Sequence, residues 1–276
     1  MLALIDGDPS AEALSVFDGA VLRGDGCFEA IRSYHGRAFA FGEHYARLIR
    51  SAHALGIPVP AADRLRGWVG ECAASGGDGI VRIVLTRGGS VPGSDSPSRC
   101  VVLWHPLPAD SGSLRLMPVA APWHPGGEKW ELAGVKTISY APNQAASRRA
   151  VELGGDDALL ISREGYVLEG PTFAVAWVVD GSLETPSLDL GILESITRRF
   201  VLDDCSTLAI SVREGRFPLS RLERAVEVMA LSTVKEVTAV TQVGSLEYTV
   251  GPFTEQLLRT YRIRTQETPA QVTTGS

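Results

Sequence analysis

The chain has 276 residues, 45% hydrophobic and 21% charged, which suits a soluble globular protein large enough to divide into two lobes. A net charge of −6 without any lysine or arginine stripe excludes a nucleic-acid-binding surface. The acids Asp6 and Asp8 replace the basic n-region of a signal peptide, and no window reaches the roughly 18 apolar residues a membrane helix needs.

In chain order, "DGAVLRGDGCFEAIRSYHGRAFAF" reads as strand, loop, strand, turn and strand. A helix is expected from Glu43 to Leu55, because Leu48, Ala52 and Leu55 share one stripe, and "LGIPVP" ends it. A second helix, Ala62–Ala74, precedes the alternating strand "GIVRIVLTRGG", a glycine/proline/serine loop "SVPGSDSPSR" and the strand "CVVLWHPLP". These define a small N-terminal domain, 1–107, with a linker at 108–114. The larger part, 115–264, opens with the strand "LRLMPVA" and a polar loop, followed by a helix from Tyr140 or Pro142 to Leu153. Two hairpin-type units follow, turning at "REGY" and "DGS". "SITRRFVLDDC" is a helix with Ser195 as N-cap, "AVEVMALS" and "EVTAVTQV" are strands, and a helix over Pro252–Ile263 closes the fold. Residues 265–276 read as a flexible tail. This order of strands and helices predicts an α+β fold.

Only three of the 26 basic residues are lysines: Lys129, Lys136 and Lys235. Taken alone, Lys136 is an ordinary loop lysine, but Ala133, Gly134, Val135 and Ile138 around it favour a partly desolvated, nucleophilic amine. Such an amine forms a Schiff base with a carbonyl compound, of which pyridoxal phosphate is the commonest cofactor. That cofactor needs a grip on its phosphate, a carboxylate for its ring nitrogen and a polar group for its phenolic oxygen. Arg47 and the N-terminus at "SITRR", with Thr197, are candidates for the phosphate, as are Ser232 and Thr233 after a strand. Glu169 in "VLEGPT" is the candidate carboxylate. Each of these also has a plain structural reading as a surface, turn or capping residue. The histidines His35, His44, His53, His105 and His124 show no metal-ligand spacing, and the cysteines Cys27, Cys72, Cys100 and Cys205 no CxxC. No metal site is expected, and free thiols suit a cytoplasmic chain.

Taken together, "RGDGCFEAIR", "HYARLIRSAHALGIPVP", "AGVKTISYAPN", "GGDDALLISREGYVLEG", "DGSLETP" and "GILESITRRFV" resemble the class IV aminotransferases, the fold-type IV group of pyridoxal-phosphate enzymes. The resemblance spans about residues 18 to 240. It implies a small α/β lobe, a larger lobe with a barrel-like sheet, pyridoxal 5'-phosphate between them, and a homodimer. It implies Lys136 as the Schiff-base lysine, and Arg47, the Ile196 and Thr197 amides, the Thr197 hydroxyl and Thr233 around the phosphate. Glu169 would pair with the ring nitrogen and Tyr140 with the phenolic oxygen. Three features depart from the family pattern: Glu194–Ser195 replaces proline-glycine, "PTFAVAW" follows the "EG" turn, and Arg23 replaces an aromatic. Glu194 is expected to place an acid close to the phosphate site. Short length, "GDGCF" and "VRIVLTRGG" look most like the 4-amino-4-deoxychorismate lyases of folate biosynthesis. The alternative is an aminotransferase for branched-chain or D-amino acids. Arg23, Arg82 and Arg87 are candidates to meet the lyase substrate's two carboxylates.

Overall fold

The computed structural model describes residues 2–9, 14–89, 91–93, 96–109 and 112–266. β1 (Ala3–Ile5), β2 (Gly26–Tyr34), β3 (Arg37–Ala38), β4 (Gly79–Thr86) and β5 (Cys100–His105) form an antiparallel sheet in the order β1-β5-β4-β2-β3. With it go α1 (Gly19–Arg23), α2 (Phe41–Leu55) and α3 (Ala62–Gly76). Leu48 and Ala52 of α2, Leu65, Val69 and Cys72 of α3, and Cys27, Ile31, Val81 and Ile83 of the sheet form its core. Period-two alternation in the strands meets a helical stripe, as the sequence pattern demands.

The second sheet is mixed. It contains β6 (Ser113–Ala120), β7 (Asp157–Ile161), β8 (Ala174–Val179), β9 (Ser182–Pro186), β10 (Val212–Gly215), β11 (Glu227–Ser232) and β12 (Glu236–Val243), ordered β10-β9-β8-β11-β12-β6-β7. A short β13 (Leu246–Glu247) pairs with β12. β8 is buried on both faces, and its residues divide by parity. Val175, Trp177 and Val179 enter one cluster with residues of β6, β7, β11 and β12, so the sheet curls around them. Ala174, Ala176 and Val178 pack instead with α5 (Ile196–Thr207) and α6 (Pro252–Gln266). α4 (Ala141–Glu152) covers β7 through Ala146, Ala150, Ala158 and Leu160. The β8–β9 turn has Asp180 and Gly181 at φ 51° and 74°, the left-handed pair an Asp-Gly hairpin requires.

The α+β expectation holds, while three local readings are corrected. "DGAVLR" is not a strand: Asp18 Oδ1 accepts the Ala20 N–H at 2.8 Å and Gly24 at φ 67° ends the turn, so capping overrides the β-prone side chains. The closing helix runs on to Gln266, so Thr265 and Gln266 are helical, and the remainder of the tail, 267–276, lies outside the described residues. β6 begins at Ser113, inside the segment read as linker, and residues 110–111 of that segment are outside the described residues. We propose the passage from His105 to Ser113 as the boundary between lobes. Among the described residues, no helix is long and apolar enough to cross a membrane.

Leu48 is fully enclosed on the helix that also carries Arg47. Leu48→Ala is expected to lower unfolding free energy by about 2–5 kcal/mol, measured by urea titration.

Candidate functional site

Lys136 lies where the two sheets meet, on a segment tied down along its backbone. Its N–H donates to Ser51 Oγ of α2 at 3.1 Å, and its carbonyl accepts the Phe28 N–H of β2 at 3.0 Å. Two residues on, the Ile138 N–H donates to Gly26 O at 3.0 Å. The segment thus extends the free edge of β2. Gly26 is required there, because a Cβ would come within 2.8 Å of Ile138 Cδ1 and 2.5 Å of Leu85 O. With its backbone fixed, Lys136 places Nζ 4.4 Å from the Phe28 ring centroid. Burial, and next the Arg47 guanidinium, bring its pKa down to about 8; Glu29 and Glu169 resist the shift and Arg82 adds to it. The sparse lysine therefore sits among both carboxylates and both guanidinium groups.

Arg47 is held by a residue the sequence reading did not single out. Its Nε and Nη2 donate to the two oxygens of Glu29 at 2.8 and 2.7 Å, a bidentate pair closed off from water. His44, one turn earlier on α2, meets Glu29 Oε2 through Nδ1 at 2.7 Å. Burial pushes the Glu29 carboxyl up, yet the charge and hydrogen bonds of Arg47, with His44, outweigh it and hold the pKa at about 2. Burial likewise depresses His44, so the neutral imidazole donates Nδ1–H to the ionised Glu29. Sequence does carry the signal: in "CFEAIR" Glu29 has the inward parity of Cys27 and Ile31. A carboxylate on that face demands a cation.

Arg47 Nη1 reaches over to Glu194 O at 2.9 Å, which joins α2 to the entrance of α5. There Ser195 Oγ caps the Arg198 N–H at 3.2 Å, as its N-cap position predicts. The Ile196 and Thr197 N–H groups belong to the first turn and have no intrahelical acceptor, so they remain available to an anion beside Arg47. Two expectations change here. The Thr197 hydroxyl is 3.4 Å from the Tyr261 hydroxyl, buried against α6. The Glu194 side chain pairs with Arg50 at 2.7 Å on an exposed surface, which neutralises the acid expected to intrude on the phosphate site.

Glu169 pairs with β7 through its backbone, its carbonyl accepting the Leu160 N–H at 2.9 Å. Its carboxylate oxygens accept the Leu193 N–H at 3.3 and 3.2 Å. Tyr140 packs edge-on to Phe28 with centroids 5.3 Å apart, and burial raises its hydroxyl well above the usual range, keeping it protonated. Thr233 lies in the β11–β12 turn, where Ser232 Oγ is occupied by the Lys235 N–H at 3.0 Å. Arg82 stands on β4 with its guanidinium 5.2 Å from the Phe28 centroid. The other two arginines behave differently. Arg23 is exposed on α1, and Arg87 is consumed as a staple: it grips Asp25 at 3.0 and 3.2 Å, Gly56 O at 3.0 Å and Leu55 O. Among the described residues, no group of three or more His, Cys, Asp or Glu gathers to hold a metal.

The model of the class IV amino-transferase family matches residues 26–243. A bifunctional aminodeoxychorismate lyase / D-amino acid transaminase of Mycobacterium tuberculosis is 31% identical over 257 residues, 78% of this chain and 83% of that one. A putative branched-chain-amino-acid aminotransferase of Methanocaldococcus jannaschii is 31% identical over 280 residues, 94% of each. Among solved structures, a hypothetical aminotransferase from M. tuberculosis in its PLP-bound form superposes with a TM-score of 0.88 at 25% identity, covering 96% of this chain and 99% of that one. The chain belongs to the class IV aminotransferase family, and its fold is the fold-type IV one. It is a pyridoxal-phosphate enzyme, and the donor set fits that cofactor: a depressed lysine, a guanidinium beside two free amides, a pinned carboxylate and a protonated phenol.

The Glu29 carboxyl has a folded pKa near 2 against an ordinary 4.5, so its stabilisation is complete above pH 4.5 and is lost as pH falls towards 2. Glu29→Gln leaves Arg47 buried without its counter-charge and is expected to cost about 3–5 kcal/mol at pH 7. Unfolding titrations at pH 7 and 3 should also show the variant losing less stability than the parent over that interval.

Proposed function

We propose that the chain is a 4-amino-4-deoxychorismate lyase, releasing 4-aminobenzoate and pyruvate as a cytoplasmic homodimer in folate biosynthesis. Arg82 carries the choice of substrate: a partly buried guanidinium beside Lys136, without a hydrogen-bonded or ion-paired partner among the described residues. A free cation next to the reactive amine suits a substrate bearing carboxylates. Likeness to a bifunctional lyase / transaminase supports the same reading. For the dimer, exposed Val16, Phe17, Val21 and Leu22 offer an apolar face.

Bound pyridoxal phosphate supplies a carbonyl carbon that amines attack and a ring that accepts an electron pair. In this reading Lys136 Nζ is the first attacking amine; with a pKa near 8, about one copy in ten is neutral at pH 7. The same Nζ would take the proton from the substrate carbon bearing nitrogen. Glu169 would accept the ring N–H, Tyr140 would donate to the phenolic oxygen, and Arg47, the Ile196 and Thr197 amides and Thr233 would hold the phosphate. Arg82 holds a substrate carboxylate. The bond from ring carbon to the enolpyruvyl oxygen then breaks, its electron pair leaving with oxygen. The enol gains a proton to become pyruvate while the substrate ring becomes aromatic.

The second reading is an aminotransferase for branched-chain or D-amino acids, supported by the relatives of that name. It would use the same residues, with Nζ both removing and returning the proton.

Incubation with aminodeoxychorismate and no keto acid should yield 4-aminobenzoate and pyruvate in equal amounts. Amino exchange that depends on a keto acid, with no pyruvate released, selects the aminotransferase. Lys136→Ala is expected to slow turnover by roughly 10²–10⁴-fold. Arg82→Ala should raise KM about tenfold with the cofactor still bound, and an unchanged KM removes Arg82 from the site.

A further inference from the structure

The loop between β6 and Lys136 carries a histidine with no part in the steps above. The His124 side chain is 10% exposed, and its Nε2 lies 3.8 Å from Glu169 Oε1. Its other ring nitrogen, Nδ1, accepts the Gly126 N–H at 3.4 Å. A ring nitrogen that accepts carries no proton, so the neutral ring has its hydrogen on Nε2, the side facing Glu169.

The surroundings hold this arrangement in place. The His124 N–H donates to Ala121 O at 3.0 Å, and the Ala121 N–H to Ile161 O at the end of β7 at 2.8 Å. Pro125 packs so closely on Gly191 that a Cβ there would meet its Cγ at 2.6 Å. Gly191 is two residues from Leu193, whose N–H holds Glu169 from the other side. Two neighbouring loops thus grip one carboxylate.

We infer that His124 is a positioning residue for Glu169, its Nε2–H side facing the carboxylate at 3.8 Å and aiming it at the cofactor's ring nitrogen. The inference rests on the reading of Glu169 as the partner of that nitrogen. At 3.8 Å the pair is a polar contact rather than a hydrogen bond, and a partner behind a contact group orients it. No proton is transferred: Glu169 would accept from the cofactor's ring nitrogen on one side, while the His124 Nε2–H faces it from the other.

The test compares affinities of the cofactor-free protein for pyridoxal 5'-phosphate and for its 1-deaza analogue, in which carbon replaces the ring nitrogen. The ratio of the two dissociation constants isolates the ring-nitrogen contact, because phosphate binding and overall stability divide out. His124→Ala should shrink the ratio about fivefold, and His124→Gln, whose side-chain amide donates from nearly the same place, should restore most of it. Where the alanine variant does not fold, His124→Asn, too short to reach Glu169, takes its place with the same expected loss. Loss of the ratio in Glu169→Gln but not in His124→Ala overturns the role of His124 and leaves that of Glu169. Failure of His124→Gln to restore what alanine removes reduces His124 to loop packing, which also overturns the inference. A ratio unchanged in Glu169→Gln brings down the reading of Glu169 itself.

Discussion

The bidentate pair between Glu29 and Arg47 is the contact on which the remaining architecture leans. Both side chains are shut away from water, where an unmatched charge is costly and a matched one only roughly breaks even. What tips the balance is the number of bonds. Glu29 accepts from Nε and Nη2 of Arg47 and from His44, while Arg47 Nη1 goes on to Glu194 O. One strand, one helix and the approach to a second helix are thereby fixed relative to one another. That same guanidinium is the first charged group to depress Lys136, after burial itself. The contact that joins the two sheets therefore also tunes the reactive amine, so packing and chemistry cannot be altered separately here.

The entrance to α5 illustrates how a departure from the family pattern is absorbed. Glutamate and serine stand where the family pattern given by the resemblance has proline and glycine. Ser195 compensates by capping the Arg198 N–H, worth about 1 kcal/mol, and leaves the two preceding amides free. Glu194 presents only its carbonyl to Arg47 and turns its charge out to Arg50. At an exposed site that ion pair adds little stability, but it turns the Glu194 charge outward, away from Arg47.

Much of this was legible in the sequence, and the misses share a cause. α2, α4, α5, the β8–β9 hairpin, β11 and β12 follow from periodicity, an Asp-Gly turn and an N-cap, all of which are local. α1 was misread because one aspartate cap and one left-handed glycine outweigh the β-prone residues between them. Glu29 was passed over because its partner is 18 residues away on another element. For Arg87, charge alone suggests a free cation, whereas Asp25 and the end of α2 consume it. Lys136 showed through because composition makes it conspicuous and because its neighbours already predict desolvation. Charge type is visible in a sequence, but whether a charge is already spent is not.

That distinction bears on substrate choice. Two carboxylates on one substrate call for two unspent cations, and the three arginines first considered are not equivalent. Arg87 drops out through its staple, and Arg82 qualifies by position. Arg23 is exposed, but its neighbour Gly24 offers its carbonyl to Ser139 Oγ at 2.8 Å, one residue before Tyr140. Gly24 cannot carry a side chain there, since a Cβ would fall 2.6 Å from that hydroxyl. The close approach docks the end of α1 against the segment bearing Lys136 and Tyr140. Arg23 itself, the last residue of α1, stays exposed. Of the three, Arg82 is the partly buried one without a hydrogen-bonded or ion-paired partner among the described residues, so charge recognition beside Lys136 turns on what that cation meets.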